Sequence, residues 1–166
     1  MKNYYSTSIA KGLKKYGLPM LKINLLRELS FNVLINTGIR YNLIDPSYIY
    51  FKVNEDYDTY IEDENYIGNT TPNLNSVYLF KDFFEKLGTQ EILGKDGVKQ
   101  SVDKLNFKFE FKGETLTDLF SVVEINSPHY FSKGRNIDVV LGTDFLIKYN
   151  WIIDYNKKVI YSPNNS

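Results

Sequence analysis

The triplet Asn36-Thr37-Gly38 holds the residues best placed for chemistry in this sequence. Apolar Val33-Leu34-Ile35 precedes it and Leu43-Ile44 follows, so two buried strands would pin a short polar loop between them. Gly38 permits a sharp turn at that point. A loop fixed at both ends holds its polar side chain rigidly. Here that side chain is an amide, which donates and accepts hydrogen bonds but takes up no proton at useful pH. The acidic run Glu55, Asp56, Asp58, Glu62, Asp63 and Glu64 has the density of a cation site. It lacks the ligand order and central glycine of a calcium loop, and reads as a solvated loop. The sole histidine, His129 beside Pro128, cannot build a multi-histidine metal site within one chain. With no cysteine there is neither a disulfide nor a thiolate ligand. Neither metal nor cofactor is expected.

The elements that must hold such a loop need a core, and 166 residues in one domain are enough to bury one. Hydrophobic residues make up 43% and charged residues 24%, an ordinary globular balance that argues against disorder. Formal charge is zero, so no global field favours nucleic acid or an anionic membrane. The lysine-bearing N-terminus has no apolar core of signal-peptide length, and no run of about 18 apolar residues exists to span a membrane. A cytoplasmic location is expected if the chain is full length.

Patterning predicts an all-β chain, mainly antiparallel, with one or two short helices. Residues 4 to 16 read as a short helix or a loose arm, and Gly17-Leu18-Pro19 as punctuation. Met20 to Leu26 and Ser30 to Ile35 read as a hairpin whose second strand delivers Asn36. Tyr41 to Ile44 returns to the sheet, Asp45-Pro46-Ser47 ends it, and Tyr48 to Val53 alternates as a further strand. Gly68 to Asn75 is turn-rich. Ser76 could cap a helix with Val77, Phe80, Phe83, Phe84 and Leu87 on its core face and Gly88 as its stop. Glu91 to Val102 reads as a hairpin with Gly94-Lys95-Asp96-Gly97 at its tip. Leu105, Phe107, Phe109 and Phe111 alternate with polar residues, the clearest half-buried strand in the chain. Lys112-Gly113-Glu114 turns it, Leu116 to Ile125 continues the sheet, and Asn126 to Asn136 is a surface loop. Ile137 to Leu141 is a buried strand, after which Thr143 can cap a short helix, Asp144 to Tyr149. Trp151 to Tyr155, the turn Asn156-Lys157-Lys158 and Val159 to Tyr161 form a closing hairpin. No internal repeat is visible, so the Asn36 loop occurs once.

Two separated stretches carry a family resemblance. Val33 to Ile44 resembles the hydrophobic-Asp-Thr-Gly loop of the aspartic proteases, with Asn36 at the aspartate position. Val139-Val140-Leu141-Gly142-Thr143-Asp144-Phe145-Leu146 resembles the hydrophobic-hydrophobic-Gly turn and helix near the C-terminus of retropepsins. Tyr149-Asn150-Trp151-Ile152-Ile153-Asp154 is similar to the bacterial retropepsin-like proteins in particular. The resemblance covers residues 19 to 161 and implies one retropepsin-like lobe of the acid protease fold, with residues 1–18 as an N-terminal arm and 162–166 as a tail.

The resemblance implies a homodimeric aspartic endopeptidase in which each subunit gives one Asp to a shared dyad. One carboxylate accepts a proton from the attacking water while its protonated neighbour polarises the scissile carbonyl. Losing such acid–base assistance typically costs about 10²–10⁴-fold, and a symmetric dimer with Asn36 loses both members. A folded, dimeric, inactive protein is expected, whether the Asn is engineered or natural. Ile39 stands where the family commonly has a small residue, so a narrower cleft floor follows. Arg40 and Asp144 reverse the charges of the family's loop-to-helix pair. They suggest an ion pair worth on the order of 3–5 kcal/mol if buried and little if solvated. The 91–102 hairpin takes the place of the family's flap, and a polypeptide substrate or peptide ligand would lie extended beneath it as an added strand. Two other readings remain open. One is a non-catalytic peptide-binding module on the same fold. The other is a β-rich ligand-binding domain in which Asn36-Thr37-Gly38 is only a turn.

Overall fold

A computed structural model describes residues 3–26, 29–49, 83–93, 97–125 and 137–165. The acidic run at 55–64, the turn-rich segment 68–75, residues 76–82 of the expected helix, Gly94-Lys95-Asp96 and the loop bearing His129 lie outside them.

Among the described residues the chain is mainly antiparallel β-structure with two short helices, as patterning predicts. In order the elements are β1 (Tyr4–Ser8), α1 (Ala10–Tyr16), β2 (Met20–Leu26), β3 (Leu29–Ile35), β4 (Asn42–Ile44), β5 (Phe84–Leu93), β6 (Lys99–Phe111), β7 (Glu114–Val122), β8 (Val139–Leu141), α2 (Thr143–Tyr149), β9 (Ile152–Asp154) and β10 (Val159–Pro163). Seven strands form one sheet in the order β2-β3-β8-β4-β7-β6-β5, and β1-β10-β9 form a second.

The centre of the large sheet departs from a plain meander. β8 lies between β3 and β4, parallel to β3 (Val33↔Val139) and antiparallel to β4 (Ile44↔Val139), while β4 runs parallel to β7. Every residue of β4 and β8 is buried, the mark of strands covered on both faces. Period-two alternation divides their side chains between two cores. Val33, Ile35, Ile44, Val139 and Leu141 join the larger cluster, with Phe31, Phe107, Phe109, Phe120, Phe145 and Trp151. Leu34, Leu43 and Val140 join a smaller cluster with Ile92, Val123, Ile125 and Ile137. The larger core is aromatic: Phe84 stacks on Phe107 at 4.9 Å, and Trp151 meets Phe145 edge-on at 5.2 Å.

Several expectations are corrected. The helix from Ser76 to Gly88 does not extend through 84–88, because Phe84 to Leu93 is a strand. Phe84 pairs with Phe107 across the sheet and is buried, whereas Leu87 is exposed. The helical spacing is a local coincidence that cross-strand burial overrides. Gly88 stops no helix. It takes φ 101° inside a register shift between Lys86 and Thr89, a glycine-only geometry typical of a β-bulge. The hairpin expected over 91–102 is longer, running from Phe84↔Phe107 to Leu93↔Lys99.

Residues 46–49 make a helical turn rather than the start of a strand. Asp45 sets that turn: its Oδ1 accepts the Ser47 N–H at 2.9 Å and its carbonyl accepts the Tyr48 N–H at 3.1 Å. Residues 4–16 are neither a lone helix nor loose. β1 pairs along β10 from Tyr4↔Pro163 to Ser8↔Val159, so residues at both ends of the chain share one sheet. Among the described residues no helix is long and apolar enough to cross a membrane.

Candidate functional site

Asn36 is the first residue beyond β3, and its position is set by the insertion of β8. Its N–H donates to the Leu141 carbonyl at 3.0 Å, tying the start of the loop to the end of the neighbouring strand. Its side chain then folds back over the loop, where Oδ1 accepts the Gly38 N–H at 2.9 Å. This Asx-type turn is a short polar side chain's usual way of closing a tight bend. Among the described residues it is the only hydrogen bond of that side chain. Asn36 is half-buried while Thr37 and Gly38 are exposed, so the loop opens to solvent.

The far side of the loop is fastened to α2. Gly142 comes so close that a Cβ there would stand 2.4 Å from the Tyr41 carbonyl oxygen and 2.6 Å from that of Arg40. Past it the first N–H groups of α2 find acceptors in the loop. Thr143 N–H donates to Ile39 O at 2.9 Å and Asp144 N–H to Arg40 O at 3.2 Å. Thr143 therefore lies inside the helix instead of capping it, and its hydroxyl donates to Ile39 O at 3.3 Å. Gly142 is the N-cap, chosen by close approach and not by side-chain capping.

Arg40 Nε stands 3.5 Å from Asp144 Oδ2, with 76% and 53% of the side chains exposed. A pair so well solvated contributes about 0–1 kcal/mol, so the backbone bonds around Gly142 do most of the fastening.

Asn42 was not singled out from the sequence, yet it is central to the arrangement. Its Oδ1 accepts the Gly142 N–H at 3.1 Å, and its Nδ2 donates to Asp118 Oδ2 and to Leu119 O, both at 3.0 Å. One amide thus links the loop, β7 and the start of α2. The available signal was a polar residue opening the apolar Leu43-Ile44 run, which a buried strand tolerates only if fully bonded. On the outer side Lys148 Nζ lies 3.5 Å from Asp118 Oδ1, and Tyr149 donates to Thr117 O at 2.6 Å, so α2 is clamped to β7 as well.

The expected hairpin tip is described only at Gly97, which is exposed with φ 78°. The strands leading to it lie over the loop's own face of the sheet: Ile92 and Val102 share the smaller apolar cluster with Leu34, Leu43, Val140 and Ile39. The structure thus brings the hairpin, the Asn36 loop and the Gly142 turn into one neighbourhood. Among the described residues no group of three or more His, Cys, Asp or Glu side chains could hold a metal ion. What stands at position 36 can bind through hydrogen bonds but cannot take a proton from water.

Among the solved structures similar to the chain is the retroviral protease-like domain of Ddi1 from Leishmania major. It is 11% identical over 89% of this chain and 90% of that one, with a TM-score of 0.38. No protein-family model and no curated protein matches the chain. At that score the fold rests on this chain's own strand order.

Proposed function

We propose that the chain is one subunit of a retropepsin-like aspartic endopeptidase homodimer in a form that does not cleave peptides, because Asn36 replaces the carboxylate the chemistry needs. The observation that carries the reading is the setting of Asn36. It follows the buried end of β3, Val33-Leu34-Ile35, is tied to Leu141, closes its turn on Gly38, and leaves the loop open toward a hairpin that shares its apolar cluster. Two such loops meeting across a two-fold axis would present two amides where a peptidase presents a shared proton. An extended peptide would be bound beneath the hairpin through its backbone.

The experiment is the single substitution Asn36→Asp, assayed against an unstructured protein from mildly acidic to neutral pH beside the unaltered chain. Cleavage by the Asp form alone, blocked by a transition-state mimic of the pepstatin type, supports the reading. Cleavage by the unaltered chain overturns it. An inert Asp form that still binds peptide favours the second reading, a non-catalytic peptide-binding module, which the amide at position 36 in the sequence itself favours.

A further inference from the structure

Zero formal charge is a sum over the whole chain and conceals a separation of charge. Residues 1–27 hold five lysines, one arginine and no acid, while residues 55–64 hold six acids and no base. Helix α1 lies in the basic part and carries Lys11, Lys14 and Lys15 at the spacing i, i+3, i+4, which puts them on one face. The opposite face is taken up by packing. A Cβ on Gly12 would stand 2.8 Å from both the Leu18 carbonyl oxygen and Met20 Cβ, and Leu13 packs on the larger core. The lysine face is thereby held outward, and all three side chains are exposed.

The turn between β9 and β10 adds Lys157 and Lys158, both exposed, and Tyr155, which is 53% exposed. Ile9 N–H donates to the Lys158 carbonyl at 2.9 Å, so this turn abuts the start of α1, a helix only about 10 Å long. Five ammonium groups gather at one end of the small sheet. Among the described residues none of the five makes an ion pair, and Lys15 alone has a ring partner, Tyr16, with 5.1 Å from Nζ to the ring centre. The one acid in these elements, Asp154, accepts the Lys157 N–H at 2.9 Å. Stability alone does not select this arrangement. Lys14 and Lys15 suit the last turn of a helix, but Lys11 stands in the first turn, where a cation opposes the dipole and no acid offsets it. Lys158 takes φ 57°, a geometry that favours asparagine or glycine.

We propose that the outer face of α1 and the 155–158 turn form a docking face for the surface of an anionic lipid bilayer. Lysines on flexible stems reach headgroup level by snorkelling, and a tyrosine beside them offers an amphipathic ring to the same layer. The charges are all lysine, without the planar arginine fork that grips one phosphate bidentately, so a broad negative plane fits them better than a single phosphate. Attachment is peripheral and reversible, drawn by the surface potential of the bilayer. It uses no residue of the Asn36 loop, so it stands or falls apart from the proposed activity.

Flotation of the intact chain with vesicles tests it, comparing phosphatidylcholine alone with phosphatidylcholine that carries phosphatidylserine as the minority lipid. Binding to the second only, weakening as salt is raised, is expected. Each lysine near such a surface adds about fivefold in affinity, so Lys11→Gln with Lys14→Gln should weaken binding roughly 20- to 30-fold. Lys157→Gln with Lys158→Asn should weaken it by a similar factor. The control pair Lys99→Gln with Lys108→Gln, on β6, changes the net charge equally and should bind as the parent does. All six side chains are exposed, so the variants are expected to fold, and an unchanged urea midpoint verifies it. Failure to bind the serine-bearing vesicles would overturn the proposal, as would equal binding to both vesicle types or an equal loss in the control pair. So would tighter binding of a single-stranded oligonucleotide at the same salt through the same lysines, which would make the partner a nucleic acid.

Discussion

The central strands β3, β8 and β4 carry polar clusters at both ends, and the two are built oppositely. At the end away from Asn36, Asp45 and Asp138 are only 4% and 3% exposed. Asp45 accepts the Ser47 N–H and hydroxyl on one oxygen and the Ile125 N–H, at 2.8 Å, on the other. Asp138 Oδ2 accepts the Asn32 N–H at 2.8 Å, and the Asp138 carbonyl accepts the Asp45 N–H at 2.9 Å. At the other end Asn36 is half-buried and its side chain accepts one hydrogen bond. The difference separates structure from site. Carboxylates whose oxygens are occupied by buried backbone donors hold segments together and have no face to offer a substrate. An amide that closes a solvent-facing turn with one bond keeps capacity for a ligand. Asp45 and Asp138, the buried aspartates among the described residues, therefore do not stand in for a missing carboxylate at position 36.

The comparison breaks most visibly at Asp45. Asp45→Ala removes the acceptor of three hydrogen bonds and strands the Ile125 N–H in the interior, so it is expected to cost about 3 kcal/mol or more of unfolding free energy. Urea denaturation would show this as a lower midpoint, and a variant as stable as the parent would show that the cluster is incidental. Gly142→Ala comes next. Its φ of −91° suits any residue, but the added methyl meets two backbone oxygens that belong to the loop itself. A loss of about 1–3 kcal/mol is expected, together with a shift in the amide resonances of Arg40 and Tyr41. Asn36→Ala is smaller, at about 0.5–1 kcal/mol, because it removes one hydrogen bond at a half-exposed turn. A loss as large as that of Asp45→Ala would erase the distinction between the two ends.

What could be read in advance follows the same division. The β2–β3 hairpin, the alternation of β6, the buried β8 and the closing β9–β10 hairpin were legible because each pattern lies within a few consecutive residues. Asn36-Thr37-Gly38 and Gly142 were legible as a loop between apolar runs and a turn before a helix. Pairing between distant segments was not. Phe84 and Leu87 fit a helical stripe until Phe107 supplies a partner, and nothing near Tyr4 announces that its neighbour is Pro163. Asn42 and Asp45 were missed as anchors for the same reason, since their partners Asp118, Gly142 and Ile125 lie far along the chain.

The smallest expected effect concerns the one charged contact between loop and helix. Arg40 and Asp144 lie 3.5 Å apart, but water reaches both side chains and both are free to re-solvate when the pair is cut. Arg40→Ala is therefore expected to change the unfolding free energy from urea denaturation by no more than about 0.5 kcal/mol, and less still in high salt, where surface pairs are screened. The backbone bonds from Thr143 and Asp144 to Ile39 and Arg40 survive that change, because they use main-chain atoms that alanine keeps. The measurement is informative beside Gly142→Ala, which leaves the charges in place and disturbs the backbone approach. If Arg40→Ala proved the more damaging of the two, the loop would be held to α2 by charge, and close backbone packing would no longer explain its position.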